Sequence, residues 1–257
     1  DWAPQNYNDE YRGEMSLREG FIRSSNSIAV QIAEETGRGH VARLARRLGI
    51  ESTMWVDRSL ALGVFEVTPV ELASAYTPFA NGGVRAQAYG IDRIETPSGD
   101  LVFAAPASAA ELVLDARTGA RMRDLFISNV RQGTGRRAAV SGLTIGGKTG
   151  TTNDFRDAWF AGFDGQLVTV VWTGNDDNSP TDRATGGGPP ARIFQAFLAA
   201  APRDGLQARV DPVAAHIAQL PQADIEAATL PEPADEAADK SSEDPIGAFL
   251  AGLGGRD

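Results

Sequence analysis

The sequence contains no cysteine and very few imidazole groups. Its 257 residues include no Cys and two His, which are His40 and His216. The absence of thiols excludes a cysteine nucleophile, disulfides, iron–sulfur clusters and Cys-ligated zinc. Two imidazoles are few for a metal site or a catalytic triad. We therefore expect no metal, no cofactor and no His-based triad.

An excess of positive charge and long apolar runs are also missing. Lys and Arg number 24 against 34 Asp and Glu, which gives a net charge of −10. Nucleic-acid binding draws its affinity from clustered positive charge, so nucleic acid is not expected as a partner. No apolar run approaches the roughly 18 residues of a membrane-spanning helix. The 42% of hydrophobic residues are enough to build the core of a folded globular domain.

The acidity is concentrated near the C-terminus. The segment 221–257 has nine acidic and two basic residues, a net −7, which leaves −3 for residues 1–220. Its Ala, Pro, Glu and Asp offer too little apolar surface to offset the entropy of ordering. Residues 203–257 are therefore predicted to form an acidic, largely disordered tail, in which the short apolar stretch 246–250 could contact a partner.

Residues 1–88 are predicted to be mostly helical. Capping-box patterns at 16–19 and 68–71 predict two helix starts, because a hydroxyl and a carboxylate three residues apart can satisfy each other's free amides. Gly37 and Gly49 follow apolar-periodic stretches and predict helix ends.

Two groups of polar residues lie within this helical part. Ser24-Ser25-Asn26 falls at the junction of two predicted helices. Over 41–48, apolar residues at helical spacing leave Arg43, Arg46 and Arg47 on the other face. We expect these arginines to form a solvated surface.

Residues 89–202 are predicted to contain a sheet and further helices. A strand, a turn and a return strand are expected between 90 and 103. Asp164-Gly165 joins two β-rich runs, which predicts a hairpin whose turn residues have positive φ. A last helix is expected to open at Pro189. The predicted fold class is α/β (α+β), with an antiparallel sheet flanked by helices and a helical subdomain.

Two tryptophans lie in the β-rich apolar runs of this region. Trp159 and Trp172 are both flanked by apolar or β-branched residues. Such surroundings are typical of core positions, so we expect both side chains in the core rather than as a platform for substrate.

The stretch 142–149 can be interpreted in two ways. It matches the phosphate-binding pattern G-x-x-x-x-G-K-[ST], but poor helix formers and a hairpin come after it where that loop requires a helix. A P-loop nucleotide-binding protein is therefore a remote alternative. As an edge strand, 147–152 could instead pair with an extended substrate while Lys148 attracts a carboxylate.

The same stretch carries a resemblance to a known family. Lys148-Thr149-Gly150 followed by Thr151 resembles the K-T-G box of the penicillin-recognising serine enzymes, and Ser24-Ser25-Asn26 resembles their S-x-N box. Longer matches resemble the transpeptidase domain of class A penicillin-binding proteins over about residues 2–198. These matches lie at 2–7, 16–19, 68–76, 79–83 and 148–160.

The resemblance implies a fold, an activity and partners. The fold would be that of the penicillin-binding and serine β-lactamase proteins, with residues 1–202 forming the C-terminal part of a transpeptidase domain. The activity would be peptidoglycan D,D-transpeptidation, in which a serine attacks a D-Ala-D-Ala stem peptide, releases D-Ala and passes the acyl group to an amine. Partners would be stem peptides, β-lactams and possible cell-wall synthesis proteins, at the periplasmic face of the bacterial inner membrane.

The resemblance also implies roles for individual residues. Ser24 would relay a proton, Asn26 would bind the substrate amide and Lys148 would supply positive potential. Thr149 and Thr151 would bind a terminal carboxylate. The Thr151 N–H would form half of an oxyanion hole, with Gly150 leaving room for a close backbone approach. The simpler alternatives are that Ser24 caps a helix and that Lys148 is a solvated charge on an edge strand.

The S-x-x-K box of the family, which carries the nucleophile, is absent. The two lysines are Lys148 and Lys240, and the residues three positions before them are Ile145 and Ala237. We expect this box upstream of Asp1, together with a glycosyltransferase domain and its membrane anchor, so that the chain alone is inactive. The alternative is a catalytically silent binding or scaffolding module of the penicillin-binding fold.

Overall fold

The computed structural model describes residues 3–7, 11–105 and 111–202. The predicted acidic tail, 203–257, with its apolar stretch 246–250, lies outside the described residues. Helices dominate the first part, as the sequence predicts. They are α1 (Leu17–Arg23), α2 (Asn26–Thr36), α3 (Arg38–Leu48) and α4 (Pro69–Ala80), with a 3-10 turn at Arg58–Leu62.

The predicted helix boundaries are confirmed by the caps. Ser16 Oγ accepts a hydrogen bond from the Glu19 N–H at 3.2 Å, which opens α1. At α4 the capping box is complete, because the Thr68 hydroxyl and the Glu71 carboxylate each accept from the other residue's backbone N–H. Gly49, with φ 105°, ends α3 in a left-handed conformation that glycine adopts without strain.

The arginines of α3 form the exposed face that the sequence pattern predicts, and two of them also bond to backbone carbonyls. Arg46 Nη1 donates to the carbonyl oxygens of Ile50 at 2.9 Å and Ser52 at 2.8 Å. Arg47 Nη2 donates to the carbonyl oxygen of Val113 at 3.0 Å. Because Arg43, Arg46 and Arg47 are all exposed, the expectation of a solvated surface is confirmed.

A three-stranded antiparallel sheet forms the centre of the second part. Its strands are β5 (Gly146–Thr151), β6 (Asp157–Phe163) and β7 (Val168–Gly174), in the order β5-β6-β7. Lys148 lies opposite Ala161 of β6. Among the described residues β5 pairs with one neighbour only, so it is an edge strand.

The hairpin at Asp164-Gly165 is confirmed, but its turn is not the predicted type. Neither residue has a positive φ. Asp164 Oδ1 instead accepts from the backbone N–H groups of Gln166 at 2.7 Å and Leu167 at 2.8 Å. A carboxylate that bonds the backbone two and three residues on can hold a turn without left-handed residues.

Two smaller sheets precede the central sheet. Strands β1 (Val84–Arg85) and β4 (Glu111–Leu112) pair with each other, and β2 (Arg93–Glu95) pairs with β3 (Leu101–Ala104). Both pairs are antiparallel. The second pair is the hairpin predicted between 90 and 103.

Two long helices pack on the central sheet and bury the core. These are α5 (Ala116–Gln132) and α6 (Pro189–Ala200), and the second begins at the predicted Pro189. The Phe160 and Phe194 rings, both fully buried, lie 4.7 Å apart between centroids. A second aromatic group joins the helical part to the sheet, because the Phe126 ring of α5 contacts four rings. These are Phe21, Tyr76, Phe79 and Phe163.

The two tryptophans expected in the core lie at its edge. Trp172 is 38% exposed, and its indole N–H donates to Asp157 Oδ1 at 2.8 Å. Trp159 is half-buried, with its ring 6.2 Å from that of Trp172. The core expectation is wrong for Trp172, because its indole N–H is satisfied by a carboxylate at the sheet surface. Within the described ranges, no helix is long and apolar enough to cross a bilayer.

Candidate active site

The fold brings together Ser24 and Lys148, which are 124 positions apart in the sequence. Lys148 Nζ donates a hydrogen bond to Ser24 Oγ at 2.6 Å. Ser24 terminates α1, and Lys148 is the third residue of the edge strand β5. The S-x-N and K-T-G patterns are therefore neighbours in space.

The Ser24 backbone adopts a left-handed conformation at the end of α1. Its φ of 57° and ψ of 46° lie in the left-handed region, and its N–H donates to the carbonyl oxygen of Phe21 at 3.1 Å. The helix-capping alternative is thus correct in part, since Ser24 caps the C-terminus of α1. Ser25, rather than Ser24, caps the N-terminus of α2. A left-handed residue other than glycine is strained, and such residues cluster at functional sites.

Lys148 is not the solvated edge-strand charge of the simpler alternative. Its side chain is half-buried, with Nζ 5.9 Å from the centroid of the Phe21 ring. Nζ also donates to the carbonyl oxygen of Thr149 at 3.1 Å. Desolvation lowers the pKa of Lys148 from 10.5 to about 8.

This pair can move a proton. When Lys148 is protonated it donates to Ser24, and the Ser24 proton is then available to a third group. When Lys148 is neutral, its nitrogen can accept the Ser24 proton instead. A lysine with a pKa near 8 exchanges between these states far more readily near neutral pH than a solvated lysine does.

Asn26 lies on the first turn of α2, two residues after Ser24, and is held by the N-terminal segment. Its Nδ2 donates to the carbonyl oxygen of Gln5 at 2.7 Å. The Asn26 backbone N–H and that of Ser27 both donate to Asn6 Oδ1, at 2.9 and 3.3 Å. The segment 3–7 therefore fixes the start of α2 and the position of the Asn26 side chain.

The other K-T-G residues occupy the rest of β5. Thr149 Oγ1 lies 2.7 Å from Thr134 Oγ1. Thr151 Oγ1 accepts from the Gly186 N–H at 3.1 Å. Gly150 has a close backbone neighbour, as its residue type suggests, and that neighbour is also Gly186. A Cβ placed on Gly186 would lie 2.5 Å from the Gly150 oxygen.

Several residues of this site were not found from the sequence. Asn129 of α5 is fully buried, and its Nδ2 donates to the carbonyl oxygen of Gly147 in β5 at 2.8 Å. Arg137 Nη1 donates to the carbonyl oxygen of Gly187 at 2.9 Å. The one signal in the sequence was the pair of glycines around Thr134, which mark close packing but do not identify the partner.

A cavity of about 720 Å³ opens beside Ser24. Ser24 and Thr134 both lie on its wall, with Ile22 and Met15 as part of its apolar lining. Its charged side chains are Arg12, Arg18, Glu19, Arg23 and Arg136. The site therefore adjoins a space large enough to receive a further polypeptide segment or a ligand.

The conformation of residues 146–155 does not match that of a phosphate-binding loop. Gly146–Thr151 is extended and is followed by a short 3-10 turn at Asn153–Phe155. A phosphate-binding loop would need to wrap around the phosphate and open a helix after the lysine.

Within the described ranges, no three or more His, Asp and Glu side chains converge to hold a metal ion.

Known proteins share this sequence and fold. The family model of the penicillin binding protein transpeptidase domain matches residues 1–199. Penicillin-binding protein 1A from Neisseria lactamica is 39% identical over 193 residues, which cover 73% of this chain and 24% of the relative. The protein of the same name from Aquifex aeolicus is 36% identical over 176 residues, covering 68% of this chain and 24% of the relative.

Solved structures agree with these matches. The crystal structure of penicillin-binding protein 1A from Haemophilus influenzae aligns with a TM-score of 0.69 and 29% identity, over 79% of this chain and 37% of that chain. The PonA1 protein from Mycobacterium tuberculosis, solved in complex with penicillin V, aligns with a TM-score of 0.66 over 76% of this chain and 58% of that chain. At 22% identity this second likeness concerns the fold alone.

The chain spans about a quarter of the length of the curated relatives that it matches. Its match to the family model nevertheless covers most of its own residues, including both Ser24 and Lys148. The sequence, the fold and the pairing of the two boxes agree, and the chain belongs to the penicillin binding protein transpeptidase domain family.

Proposed function

We propose that this chain provides the proton-relay and substrate-binding part of a peptidoglycan D,D-transpeptidase, in a bifunctional cell-wall synthase at the periplasmic face of the inner membrane. The observation that carries the proposal is the 2.6 Å hydrogen bond between Lys148 Nζ and Ser24 Oγ. It joins two boxes that the sequence separates, and it lies beside an open cavity.

In the proposed reaction a serine oxygen attacks the carbonyl carbon of the terminal D-Ala-D-Ala bond. The serine proton passes through Ser24 to the departing amine of D-Ala, and an ester forms. An amine of a neighbouring stem peptide then attacks the ester, and its proton returns by the same path to the serine. Lys148 adjusts the proton affinity of the Ser24 hydroxyl at each step.

Three other groups would hold the substrate. The hydroxyls of Thr149 and Thr151 would bind the terminal carboxylate of a stem peptide or a β-lactam, with Lys148 as the nearby positive charge. The Thr151 N–H would stabilise the developing oxyanion. Asn26 would bind the substrate amide, which requires its Nδ2 to exchange the Gln5 carbonyl for the substrate.

The attacking serine is not identified among the residues of this chain, because neither lysine is preceded by a serine three positions earlier. We propose that acylation belongs to a protein of the relatives' length, in which an S-x-x-K box accompanies this chain. The cavity beside Ser24 has space for such a segment. This chain alone should then form no covalent adduct with a β-lactam.

Labelling with a fluorescent penicillin tests the proposal. The chain alone should remain unlabelled by intact mass, while the full-length gene product should be labelled. In that product Lys148→Ala should reduce the labelling rate by about a hundredfold or more, the size expected for a lost acid–base group. Lys240→Ala is the matched control and should label normally. Unchanged labelling of a folded Lys148→Ala protein would refute the role of Lys148, and no labelling of either length would favour the silent module.

A further inference from the structure

The hydroxyl of Thr134 lies between two groups whose bonding can be assigned. Thr134 Oγ1 is 3.1 Å from Asn129 Oδ1 and 2.7 Å from Thr149 Oγ1. Asn129 Nδ2 is 2.8 Å from the carbonyl oxygen of Gly147. These contacts form a chain that runs from the backbone of β5 through α5 and back to β5.

The direction of the protons depends on what each group can donate. The Gly147 carbonyl can only accept, so the Asn129 amide nitrogen must face it and Asn129 Oδ1 must face Thr134. Thr134 has one hydroxyl proton and gives it to Asn129 Oδ1. The Thr149 hydroxyl must therefore donate its proton to Thr134.

The Asn129 side chain is closely packed as well as hydrogen-bonded. Its side chain is fully buried, and the glycines on either side of Thr134 lie against it. A Cβ on Gly133 would be 2.4 Å from Asn129 Oδ1, and a Cβ on Gly135 would be 2.9 Å from Asn129 Nδ2. The Thr134 backbone is anchored in turn, because its N–H donates to the carbonyl oxygen of Ile22 in α1 at 3.3 Å.

Thr151 is placed in the opposite way. Its Oγ1 accepts a hydrogen bond from the Gly186 N–H at 3.1 Å. Because Thr151 is the acceptor in that bond, its own proton can be donated to a ligand. The two threonines proposed to bind a carboxylate are thus not equivalent before the ligand arrives.

We propose that Asn129 and Thr134 are positioning residues that direct the Thr149 proton toward Thr134 and away from the ligand carboxylate. Thr151 is then the donor in the resting site. Thr149 donates to the carboxylate only after its bond to Thr134 breaks. This inference rests on the proposed function for the identity of the ligand, and on the hydrogen bonds alone for the direction of the proton.

Kinetics with two ligands test the effect on recognition. The acylation efficiency of the full-length protein is measured with a penicillin and with its methyl ester. The efficiency with the penicillin divided by the efficiency with the ester reports carboxylate recognition. Thr134→Val removes the acceptor while keeping the branched shape, so the Thr149 proton is released and the ratio should rise about three- to tenfold, the range of one net hydrogen bond. Thr134→Ser should restore the wild-type ratio.

A purely structural role would lower both efficiencies together and leave the ratio unchanged, which would overturn the proposal, as would a fall in the ratio. In a Thr149→Val background the effect of Thr134→Val on the ratio should disappear, because no proton remains to be released.

Neutron diffraction from the perdeuterated chain tests the proton direction without any activity. A deuteron bonded to Thr149 and directed at Thr134 supports the proposal. A deuteron bonded to Thr134 and directed at Thr149 refutes it. Failure of the full-length protein to react with either ligand would count against the proposed function, while the neutron result would still decide the role of Thr134.

Discussion

Replacing Lys148 with Met should make the chain more stable, by an amount that depends on pH. The ammonium group of Lys148 is desolvated, with Ser24 and the Thr149 carbonyl as its hydrogen-bond partners. A methionine of similar length fills the same space beside Phe21 without a charge to desolvate. The substitution therefore removes an energetic cost that exists only while the lysine is protonated.

The size of this cost can be worked out from the pKa. The folded pKa of Lys148 is about 8 and the ordinary value is 10.5, a difference of about 2.5 units. At 1.36 kcal/mol per unit this corresponds to about 3 kcal/mol. Between these two pKa values the unfolded chain binds a proton that the folded chain has released, so stability rises with pH. The cost is therefore fully present below about pH 8, shrinks as the pH rises from 8 to 10.5, and is absent above pH 10.5.

Urea unfolding of the wild type and of Lys148→Met at pH 7, 8, 9 and 10 measures this effect. The stability advantage of the variant should shrink by about 2 kcal/mol between pH 7 and 10, mostly above pH 8. Lys240→Met is the matched control, since composition predicts that its segment is disordered, and it should show no such trend. An advantage that stays constant with pH would refute the view that Lys148 is desolvated.

Substitutions at four further positions test the packing and the caps of the fold. Gly186→Ala should destabilise the chain by about 1–3 kcal/mol in urea unfolding, because its Cβ would lie 2.3 Å from the Trp159 carbonyl oxygen. Gly165→Ala, with open space around it, should be neutral or slightly stabilising. Ser24→Gly should be about 1 kcal/mol more stable than Ser24→Ala by thermal unfolding, since both lose the Lys148 bond and only alanine keeps the left-handed strain; equal stabilities would contradict this. Glu71→Gln should lower the free energy of unfolding by about 1–2 kcal/mol at pH 7. Hydrogen bonds from Thr68 and Ser52 lower the pKa of Glu71 to about 2. The wild type should therefore lose this margin as the pH falls from 4.5 toward 2.

Local signals in the sequence predict much of this fold. The helix starts at Ser16 and Thr68 and the helix end at Gly49 are all predicted correctly, because a cap involves residues that are adjacent in the chain. The strand at Gly146–Thr151 is predicted from the residues after it, since poor helix formers there exclude a phosphate-binding loop. The two boxes are recognised as a pattern, and the structure places them 2.6 Å apart.

The failures share a physical cause. Trp172 lies in a β-rich apolar run, but Asp157 of the neighbouring strand β6 binds its indole N–H at the sheet surface. Asn129 lies in the last turn of an amphipathic helix, where a polar residue gives no sign that a strand will supply its partner. Periodicity describes which way a side chain points, whereas its bonding partner depends on tertiary contacts that no local pattern contains.

The site is assembled at positions that cost stability. Ser24 holds a left-handed backbone, and Lys148 holds a desolvated charge. Neither would persist unless its surroundings fixed it, and the structure shows how they do. The Phe126 ring packs against Phe21 of α1, while Asn129 of the same helix α5 binds the backbone of β5. One helix thus sets the separation of the two elements that carry the hydroxyl and the amine. Substitutions within α5 that loosen either contact should therefore lengthen the Ser24–Lys148 hydrogen bond before they unfold the chain.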